Sequence, residues 1–298
     1  MRQWRCFRIS EHKQKIVGNH TEKQLKIKEL NIMSHISPLA FVNPDAKIGN
    51  DVTIDAFAFV DANTVIGDGC HIRPHASVLS GARIGKGNII YEGAIIAAEP
   101  QDFRWKGEKT EVIIGDDNRI REHVIINRGI RPESATRIGS HSFVMAQTHI
   151  GHDSEIGDNC VIGNAVKIAG DCKIGNCTIL SSNALVHERC DVGEWVLIKG
   201  GCRVNSHVPP YVIMAHNPIS YYGVNAFILR KQSMDEDTID DIAKCYRHIY
   251  QCNTSPFNAL KRIEADVKPG TERDSIVAFL RNHNLKVAAL NFDYLDED

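Results

Sequence analysis

The stretch "IGDNCVIGNAVKIAGDCKIGNCTIL", residues 156–180, carries an aliphatic residue at every sixth position: Ile156, Ile162, Ile168, Ile174 and Leu180. The same grid extends in both directions. It runs, always in phase, from Ile36 to Ile96, from Ile114 to Ile126 and from Ile138 to Val204. Small or polar residues often follow the aliphatic one. Neither a helix nor an ordinary alternating strand predicts such a spacing.

A six-residue repeat is typical of a parallel β-helix, in which three hexads form one triangular coil. Residues 18 apart then stack at about 4.8 Å, the spacing of neighbouring strands. The stacked aliphatics fill the interior, and each coil pairs with the strand edges of the next. An accidental run in a protein of alternating strands and helices would not keep its phase across two interruptions. We therefore predict a mainly-β fold, with a parallel β-helix over residues 34–207.

The cysteines follow the same grid. The chain has nine, and five of them stand four places after a grid aliphatic: Cys70, Cys160, Cys172, Cys190 and Cys202. Alanine, valine and threonine occupy the same place elsewhere. We interpret these thiols as small apolar filler of a narrow prism, with a nucleophilic or redox cysteine as the alternative.

Composition excludes several classes of protein. The 298 residues carry a net charge of −2, which gives no support for nucleic-acid binding. No apolar stretch is long enough to span a membrane, and the basic N-terminal segment lacks the apolar run of a secretion signal. An odd number of cysteines without a CxxC pair indicates reduced thiols. We expect a cytoplasmic protein.

Two excursions interrupt the grid, at 97–113 and 127–137. The first contains "QDFRWKGE" and the second, "NRGIRPESATR", is basic. Loops inserted on a solenoid are natural binding elements because the coils position them. Tolerated surface insertions are the alternative.

Both ends of the chain depart from the grid. Residues 1–33 form a basic tail without the repeat, and Met33 is a possible natural start. After "VNSHVPPYV" the prolines are expected to stop strand formation. Residues 208–298 are then a linker and a helical domain, because "MDEDTIDDIAKCYRHIY" and two later segments have amphipathic helical spacing. In the first of these segments one face holds Ile239, Ile242, Ala243, Tyr246 and Ile249.

The order of several motifs resembles one family. The hexads are joined by "QDFRWKGE", "IREHVIINRG", "HIGHD", "VPPYV" and "YYGVN", and a helical domain follows. This combination, over residues 34–298, is similar to the UDP-N-acetylglucosamine 3-O-acyltransferases, which catalyse the first step of lipid A biosynthesis. The resemblance implies a left-handed coil and a homotrimer with active sites between subunits. It also implies transfer of a fatty acyl chain, 3-hydroxylated in the family, from acyl carrier protein to the 3-hydroxyl of UDP-N-acetylglucosamine. No cofactor is implied, since the acyl chain is carried on the phosphopantetheine of the acyl carrier protein.

The resemblance also implies catalytic residues. His152 in "HIGHD" matches the general base, Asp153 would support its imidazolium, and the backbone N–H of Gly170 matches the oxyanion donor. Such a base suits a thioester donor, which is already activated and needs no covalent enzyme intermediate. Gly170 stands 18 residues beyond His152, so the grid itself predicts that the two stack.

Substrate contacts are implied in the same way. The expected binding residues are Asp102, Arg104, Asn127, His149, His187, Glu188, Gly200, Asn225, Arg230 and Lys231. Gly200 matches the position that sets acyl-chain length, and a glycine there leaves room for a long chain. Arg230 and Lys231, with Lys244 and Arg247, are candidates for a basic surface that receives the acidic acyl carrier protein.

Some positions depart from the family pattern. Asn127 and Asp171 stand in place of histidines, and Glu188 in place of a glutamine. Phe227 stands where an acidic residue is common, and an arginine pair is displaced to Arg230 and Lys231. These departures affect the recognition of uracil, phosphate and acetamido groups and leave the reaction type unchanged.

The histidines also allow a different class of protein. A trimeric carbonic anhydrase would bind zinc through His149, His152 and His187. However, a three-residue spacing on an extended strand points His149 and His152 to opposite sides. We therefore predict no metal site. The sequence is also compatible with an N-acyltransferase of the same pathway, an acetyl-CoA-dependent acetyltransferase or a non-catalytic scaffold.

Overall fold

The computed structural model describes residues 34–252 and 254–289. Most of this part of the chain winds into a three-sided parallel β-helix whose faces are sheets A, B and C. The predicted basic tail, 1–33, lies outside the described residues, as does the end of the predicted helical domain from residue 290.

Each face is a stack of short strands, numbered here in chain order. Sheet A contains β1 (His35–Ile36), β4 (Thr53–Ile54), β7 (His71–Ile72), β10 (Ile89–Ile90), β13 (Arg119–Ile120), β16 (Phe143–Val144), β19 (Val161–Ile162), β22 (Ile179–Leu180), β25 (Leu197–Ile198), β27 (Val212–Ala215) and β28 (Ser220–Val224). Sheet B contains β2 (Phe41–Val42), β5 (Phe59–Val60), β8 (Ser77–Val78), β11 (Ile95–Ala98), β14 (Ile125–Asn127), β17 (His149–Ile150), β20 (Lys167–Ile168), β23 (Leu185–Val186) and β26 (Arg203–Val204). Sheet C contains β3 (Lys47–Ile48), β6 (Val65–Ile66), β9 (Ala82–Ile84), β12 (Glu111–Ile114), β15 (Ala135–Ile138), β18 (Glu155–Ile156), β21 (Lys173–Ile174) and β24 (Asp191–Val192).

The register follows the grid. Ile150 pairs with Ile168, and Ile168 with Val186, so residues 18 apart stack as predicted. The grid aliphatics from Ile54 to Val204 are buried. Ile36, in the first described coil, is 45% exposed, because no coil precedes this one within the described residues.

Polar residues at the corners join one coil to the next. Inside one corner, the Asn118 N–H donates to Asn88 Oδ1 at 2.9 Å, and the Ser142 N–H donates to Asn118 Oδ1 at 2.8 Å. The Asn88 amide donates in turn to Gly115 O at 2.8 Å. These side chains are buried, so their hydrogen bonds satisfy polar groups that water cannot reach.

The cysteines of the grid lie in the core, as predicted. Cys70, Cys160, Cys172, Cys190 and Cys202 are all buried. Burial raises the pKa of the Cys160 and Cys172 thiols to about 12. Since the thiolate is the reactive form, these groups are inert filler.

Two loops without strands lie within the predicted excursions, whose bounds stay a prediction. Loop 1 covers residues 99–110 and loop 2 covers residues 128–134, because the strands on either side of each loop extend beyond two residues. The Trp105 ring of loop 1 packs under the Arg128 guanidinium of loop 2, 5.4 Å from its centroid. Arg128 also donates to Ser80 O at 3.0 Å, so both loops are fixed to the coils.

The expectation that the prolines end strand formation was wrong. Beyond Pro209 and Pro210, Ile213 of β27 pairs in parallel with Leu197, and Val212 pairs antiparallel with Val224 of β28. The two prolines fall in the turn before β27, so the N–H groups that the strand needs come from later residues. The predicted boundary between the β-helix, which ends at 207, and the linker, which begins at 208, stays a prediction.

Four helices follow the strands in the described residues: α1 (Ala226–Lys231), α2 (Glu236–Tyr250), α3 (Pro256–Asp266) and α4 (Thr271–Asn282). The Asp235 side chain caps α2, and the Ser255 side chain caps α3 at a Ser-Pro start. The expected apolar face of α2 is buried except Ala243, which is half-buried.

The helices pack on the last coils. The Tyr246 hydroxyl donates to Pro210 O, and the Tyr250 ring stacks on Tyr221 of β28 at 4.4 Å. His283, just after α4, pairs with Asp191 of β24 at 2.8 Å. In the part of the chain that the structure describes, no helix is long and apolar enough to cross a bilayer.

Candidate active site

His152 lies in the turn that follows β17, where sheet B gives way to sheet C. The residue is 7% exposed. Its Nδ1 lies 2.9 Å from Asp153 Oδ2, and its Nε2 lies 3.4 Å from Asp102 Oδ2. The first contact assigns the proton of the neutral ring to Nδ1, since a carboxylate only accepts. Nε2 is then the free basic nitrogen.

Asp153 is held by hydrogen bonds of its side chain and of its backbone. Its Oδ2 also accepts the Ile130 N–H at 3.0 Å, and its own N–H donates to Thr136 Oγ1 at 2.8 Å. Burial raises the pKa of Asp153, but hydrogen bonds from His152, Ser134 and Ile130 outweigh that effect and hold the pKa at about 2. Asp153 is therefore ionised throughout the physiological range.

The turn conformation is one that aspartate adopts readily. The backbone of Asp153 is left-handed, with φ of 57°, and that of Asp171, one coil further on, has φ of 58°. Aspartate and asparagine tolerate this region better than most residues. The coil geometry therefore stacks two carboxylates beside the histidine.

The charges around His152 favour its protonated form. The hydrogen bond to Asp153 is the largest cause of a raised His152 pKa. Burial opposes it, and the charges of Asp153, Asp171 and Asp102 add to it. The imidazole is thus a stronger base than a free histidine.

Gly170 lies directly against the histidine. A Cβ built on Gly170 would stand 2.2 Å from His152 Nε2, so no side chain fits there without moving the ring. The Asp171 N–H donates to His152 O at 2.9 Å. Both observations confirm the predicted stacking of residues 170 and 152.

Loop 1 brings Asp102 and Arg104 to the site. Arg104 donates to Asp102 from both Nε and Nη2, at 2.9 and 2.7 Å, and to Glu188 Oε1 at 2.8 Å. The hydrogen bonds that Arg104 donates to Asp102, together with its charge, hold the pKa of Asp102 well below its usual range. Glu188, a departure from the family pattern, here anchors the arginine of loop 1 to the coil.

Loop 2 contributes Arg131, which the sequence analysis did not single out. One guanidinium nitrogen lies 2.6 Å from Asp171 Oδ1 and 3.3 Å from Asp153 Oδ1. The sequence offered two signals for this contact, the basic character of loop 2 and the unusual aspartate at 171. No repeat fixes the path of loop 2, so the sequence did not indicate that Arg131 and Asp171 would meet.

The other expected binding residues lie in several places. Asn127 is buried and its amide donates to Glu99 O at 2.6 Å. Asn225 is also buried and donates to Trp195 O at 2.9 Å. His149 lies on β17, level with Ile125 and Lys167, and burial lowers its pKa, with the Lys167 charge adding to the effect.

The remaining residues of that set lie further along the chain. His187 Nε2 is 3.3 Å from an Arg203 guanidinium nitrogen, where a cavity of about 430 Å³ extends to Asn205 and Pro218. Gly200 is an exposed corner residue. Arg230, at the end of α1, pairs with Glu236 of α2 at 2.7 Å.

Two clusters of the described residues have side chains spaced for a metal ion: His152 with Asp153 and Asp171, and Asp191 with His207 and His283. In the second, His207 Nδ1 accepts the Asp191 N–H at 3.1 Å, which places the ring proton on Nε2 and leaves no lone pair for a metal. In the first, Arg131 already neutralises two of the three groups. His149 and His187 belong to neither cluster.

Comparisons with known proteins agree with this geometry. Residues 207–287 match the family model described as UDP-N-acetylglucosamine O-acyltransferase, domain 2. Residues 135–170 match the bacterial transferase hexapeptide model, and residues 36–133 match a model described as GMPPB C-terminal domain. These matches indicate a hexapeptide-repeat transferase.

Individual relatives narrow the class. The acyl-[acyl-carrier-protein]–UDP-N-acetylglucosamine O-acyltransferase of Syntrophobacter fumaroxidans is 33% identical over 82% of this chain and 96% of its own. The solved UDP-N-acetylglucosamine acyltransferase of Bacteroides fragilis is 42% identical, with a TM-score of 0.83 over 86% of this chain and 99% of its own. That of Acinetobacter baumannii is 30% identical, with a TM-score of 0.81 over 86% and 98%. The chain belongs to the acyl-[acyl-carrier-protein]–UDP-N-acetylglucosamine O-acyltransferase family, and the left-handed β-helix with a C-terminal helical domain is confirmed.

Proposed function

We propose that the protein transfers a fatty acyl chain, 3-hydroxylated as in the family pattern, from acyl carrier protein to the 3-hydroxyl of UDP-N-acetylglucosamine. This is the first step of lipid A biosynthesis. The observation that carries the proposal is the His152–Asp153 pair stacked on Gly170. It supplies a base, a carboxylate that orients it and a backbone amide beside it, on the fold of relatives that carry this name.

The reaction needs one proton to move twice. His152 Nε2 takes the proton of the sugar hydroxyl as its oxygen attacks the thioester carbonyl carbon, and a C–O bond forms. The tetrahedral oxyanion then collapses, the C–S bond breaks, and the imidazolium returns the proton to the leaving thiolate. Asp153, ionised and 2.9 Å from Nδ1, stabilises the imidazolium between the two transfers.

The oxyanion requires a donor close to the base. The Gly170 N–H serves this role, because Gly170 is stacked against Nε2 and a preorganised backbone donor contributes about 3 kcal/mol to such transition states. Asp102, 3.4 Å from Nε2, is placed to accept a hydrogen bond from the sugar and fix it beside the base.

The acyl chain arrives on the phosphopantetheine of acyl carrier protein, so the protein needs no cofactor of its own. Arg230 and Lys231 are the proposed contacts for this acidic partner. We propose that the protein acts in the cytoplasm, where acyl carrier protein and the nucleotide sugar are both supplied.

The assembly we propose is a homotrimer. Five successive outward positions of sheet A form an apolar row that is half-buried in the single chain: Phe143, Val161, Ile179, Leu197 and Ile213. Arg119 separates this row from Ile89. Burial of such a row against a second copy is favourable at about 25 cal/mol per Å². Val161→Lys with Ile179→Lys is expected to give monomers in light scattering, whereas Lys173→Glu on sheet C is expected to leave the trimer intact. A wild-type monomer at all concentrations would contradict the assembly.

The test of the activity is replacement of His152. His152→Ala should lower kcat at least ~10²-fold, the share of a general base, while the affinity for UDP-N-acetylglucosamine, measured by calorimetry, stays within a few-fold. The control is His141→Asn, at an exposed histidine whose left-handed backbone asparagine tolerates, and it should leave kcat unchanged. EDTA should not affect the rate. Near-normal turnover by His152→Ala, or reversible loss of activity on chelation, would overturn the mechanism.

A further inference from the structure

We propose that Arg131 is a positioning residue of the acyl transfer, which counterbalances the carboxylates around His152 so that the imidazole can work as a base. The proposal rests on the proposed function. It assigns to this chain's own Arg131–Asp171 pair a role in the reaction although neither side chain has to touch substrate.

The geometry connects Arg131 to His152 through a single carboxylate. Arg131 Nη2 lies 3.3 Å from Asp153 Oδ1, and Asp153 Oδ2 lies 2.9 Å from His152 Nδ1. The Asp153 side chain is 2% exposed and the Arg131 side chain is 55% exposed, so water screens the guanidinium in part but has little access to the carboxylate. The Arg131 guanidinium acts on Oδ1 through its charge, and the imidazole contacts Oδ2.

The second contact of Arg131 is the shorter one. Its Nη2 lies 2.6 Å from Asp171 Oδ1. Asp171 cannot leave the site, because its own N–H donates to His152 O at 2.9 Å and its backbone is set by the turn. The coil therefore keeps the Asp171 charge beside the imidazole, and Arg131 is the cation that meets it.

Three carboxylates and two guanidinium groups surround the ring. Asp153 comes from the same turn, Asp171 from the next coil and Asp102 from loop 1. Arg104 of loop 1 covers Asp102 but is shared with Glu188, and Arg131 of loop 2 covers the other two carboxylates. Without Arg131, two carboxylates beside His152 would lack a counterion.

Excess negative charge would be harmful to the base. A carboxylate near the ring stabilises imidazolium, and imidazolium cannot accept the proton of the sugar hydroxyl. Asp153 is needed to support the imidazolium during the reaction, but Asp171 adds the same bias without a contact to the ring. Arg131 partly offsets that bias, which reconciles an aspartate at 171 with a base at 152.

Charge-altering variants separate this role from a structural one. Arg131→Gln leaves Asp171 uncovered, so the acid limb of the kcat–pH profile should move up by about 0.5 to 1 pH unit, the range for a partly screened charge. Asp171→Asn should move the limb down. The double variant Arg131→Gln with Asp171→Asn should return towards the wild-type limb. Arg131→Lys keeps the charge, so the acid limb should stay at its wild-type pH. Arg137→Gln, at an exposed arginine on sheet C, is the control and should also leave the acid limb at that pH.

A direct titration of His152 tests the same point without turnover. Histidine labelled with ¹³C is titrated by NMR in each variant, and the His152 signal is assigned by its loss in His152→Gln. The midpoint should rise in Arg131→Gln and fall back in the double variant. If kcat falls equally at every pH, the midpoint does not move and Asp171→Asn gives no rescue, then Arg131 only holds loop 2 and the proposal is wrong. If the wild-type enzyme transfers no acyl chain, the proposed function fails, while the titration still decides what Arg131 does to His152.

Discussion

Gly170 lies so close to His152 that the two residues exclude any side chain between them. A Cβ added at 170 would stand 2.2 Å from Nε2, 2.3 Å from Cε1 and 2.8 Å from Cδ2 of the imidazole. Separations under 3 Å are well inside van der Waals contact. The ring therefore rests edge-on against bare backbone, and its position depends on the residue one coil away as much as on its own turn.

Gly170→Ala should consequently displace the base. The backbone of Gly170 is outside the left-handed region, so alanine adds no backbone strain, and the ring alone has to move. A shift of about 1 Å in a catalytic group costs on the order of 10²-fold in rate, so kcat should fall by about that factor with the melting temperature nearly unchanged. Gly270→Ala is the control, because a Cβ there meets nothing within 4 Å. Unaltered kcat in Gly170→Ala would show that the ring does not need its observed place.

Asp153→Asn should impair the base by a different route. Oδ2 of Asp153 accepts the Ile130 N–H and contacts His152 Nδ1, so an amide oxygen in its place can keep both contacts but not the negative charge. The imidazolium that forms during the reaction then loses its counter-charge, and the amide NH2 faces the Arg131 guanidinium, so kcat should fall by about 10²-fold or more. The carboxylate raises the His152 pKa, so its removal lowers that pKa and the acid limb of the remaining activity should move to lower pH. A limb that moves to higher pH would contradict the assigned contacts.

The arginine of loop 1 should affect binding more than chemistry. Arg104 joins Asp102 to Glu188. Its loss leaves Asp102 without an arginine, whereas Glu188 keeps its contact with Arg189 at 3.3 Å. Loop 1 should then hold Asp102 less firmly. We expect Arg104→Gln to raise the KM for UDP-N-acetylglucosamine about tenfold, or about 1.4 kcal/mol, with a smaller effect on kcat. Lys106→Gln in the same loop is the control, and an equal rise in both variants would mean that overall loop charge is responsible.

The fold could be predicted from the sequence because the six-residue period of aliphatic residues marks the positions that fill the interior. Every coil places one aliphatic residue of each hexad inside the prism. The 18-residue spacing of Ile150, Ile168 and Val186 therefore predicts that they stack. The position of Gly170 against His152 followed from the same arithmetic. The prediction that the prolines block a strand was wrong because the prolines occupy a turn. The N–H groups of β27, which follow that turn, are therefore free to pair.

The charge balance of the site could not be predicted in this way. Arg131 reaches Asp153 and Asp171 from loop 2, which has no repeat to fix its path. Glu188 and Asp171 were recognisable only as departures from a family pattern. Their partners, Arg104 and Arg131, are 84 and 40 residues away along the chain, and the loops that bring them together are held by Trp105 and Arg128.

The acyl-chain length should respond to the side chain at position 200. Gly200 is exposed at a corner, and a Cβ there would meet only Ser182 O, at 3.1 Å. A larger residue would project into the space that the family pattern gives to the end of the acyl chain, and each methylene it excludes from burial costs about 0.8 kcal/mol of donor binding. With a mixture of acyl carrier protein thioesters and mass spectrometry of the products, Gly200→Met should shift the preference to chains shorter by several carbons. Gly200→Ala should shift it less. Identical product distributions from wild type and Gly200→Met would place the end of the acyl chain elsewhere.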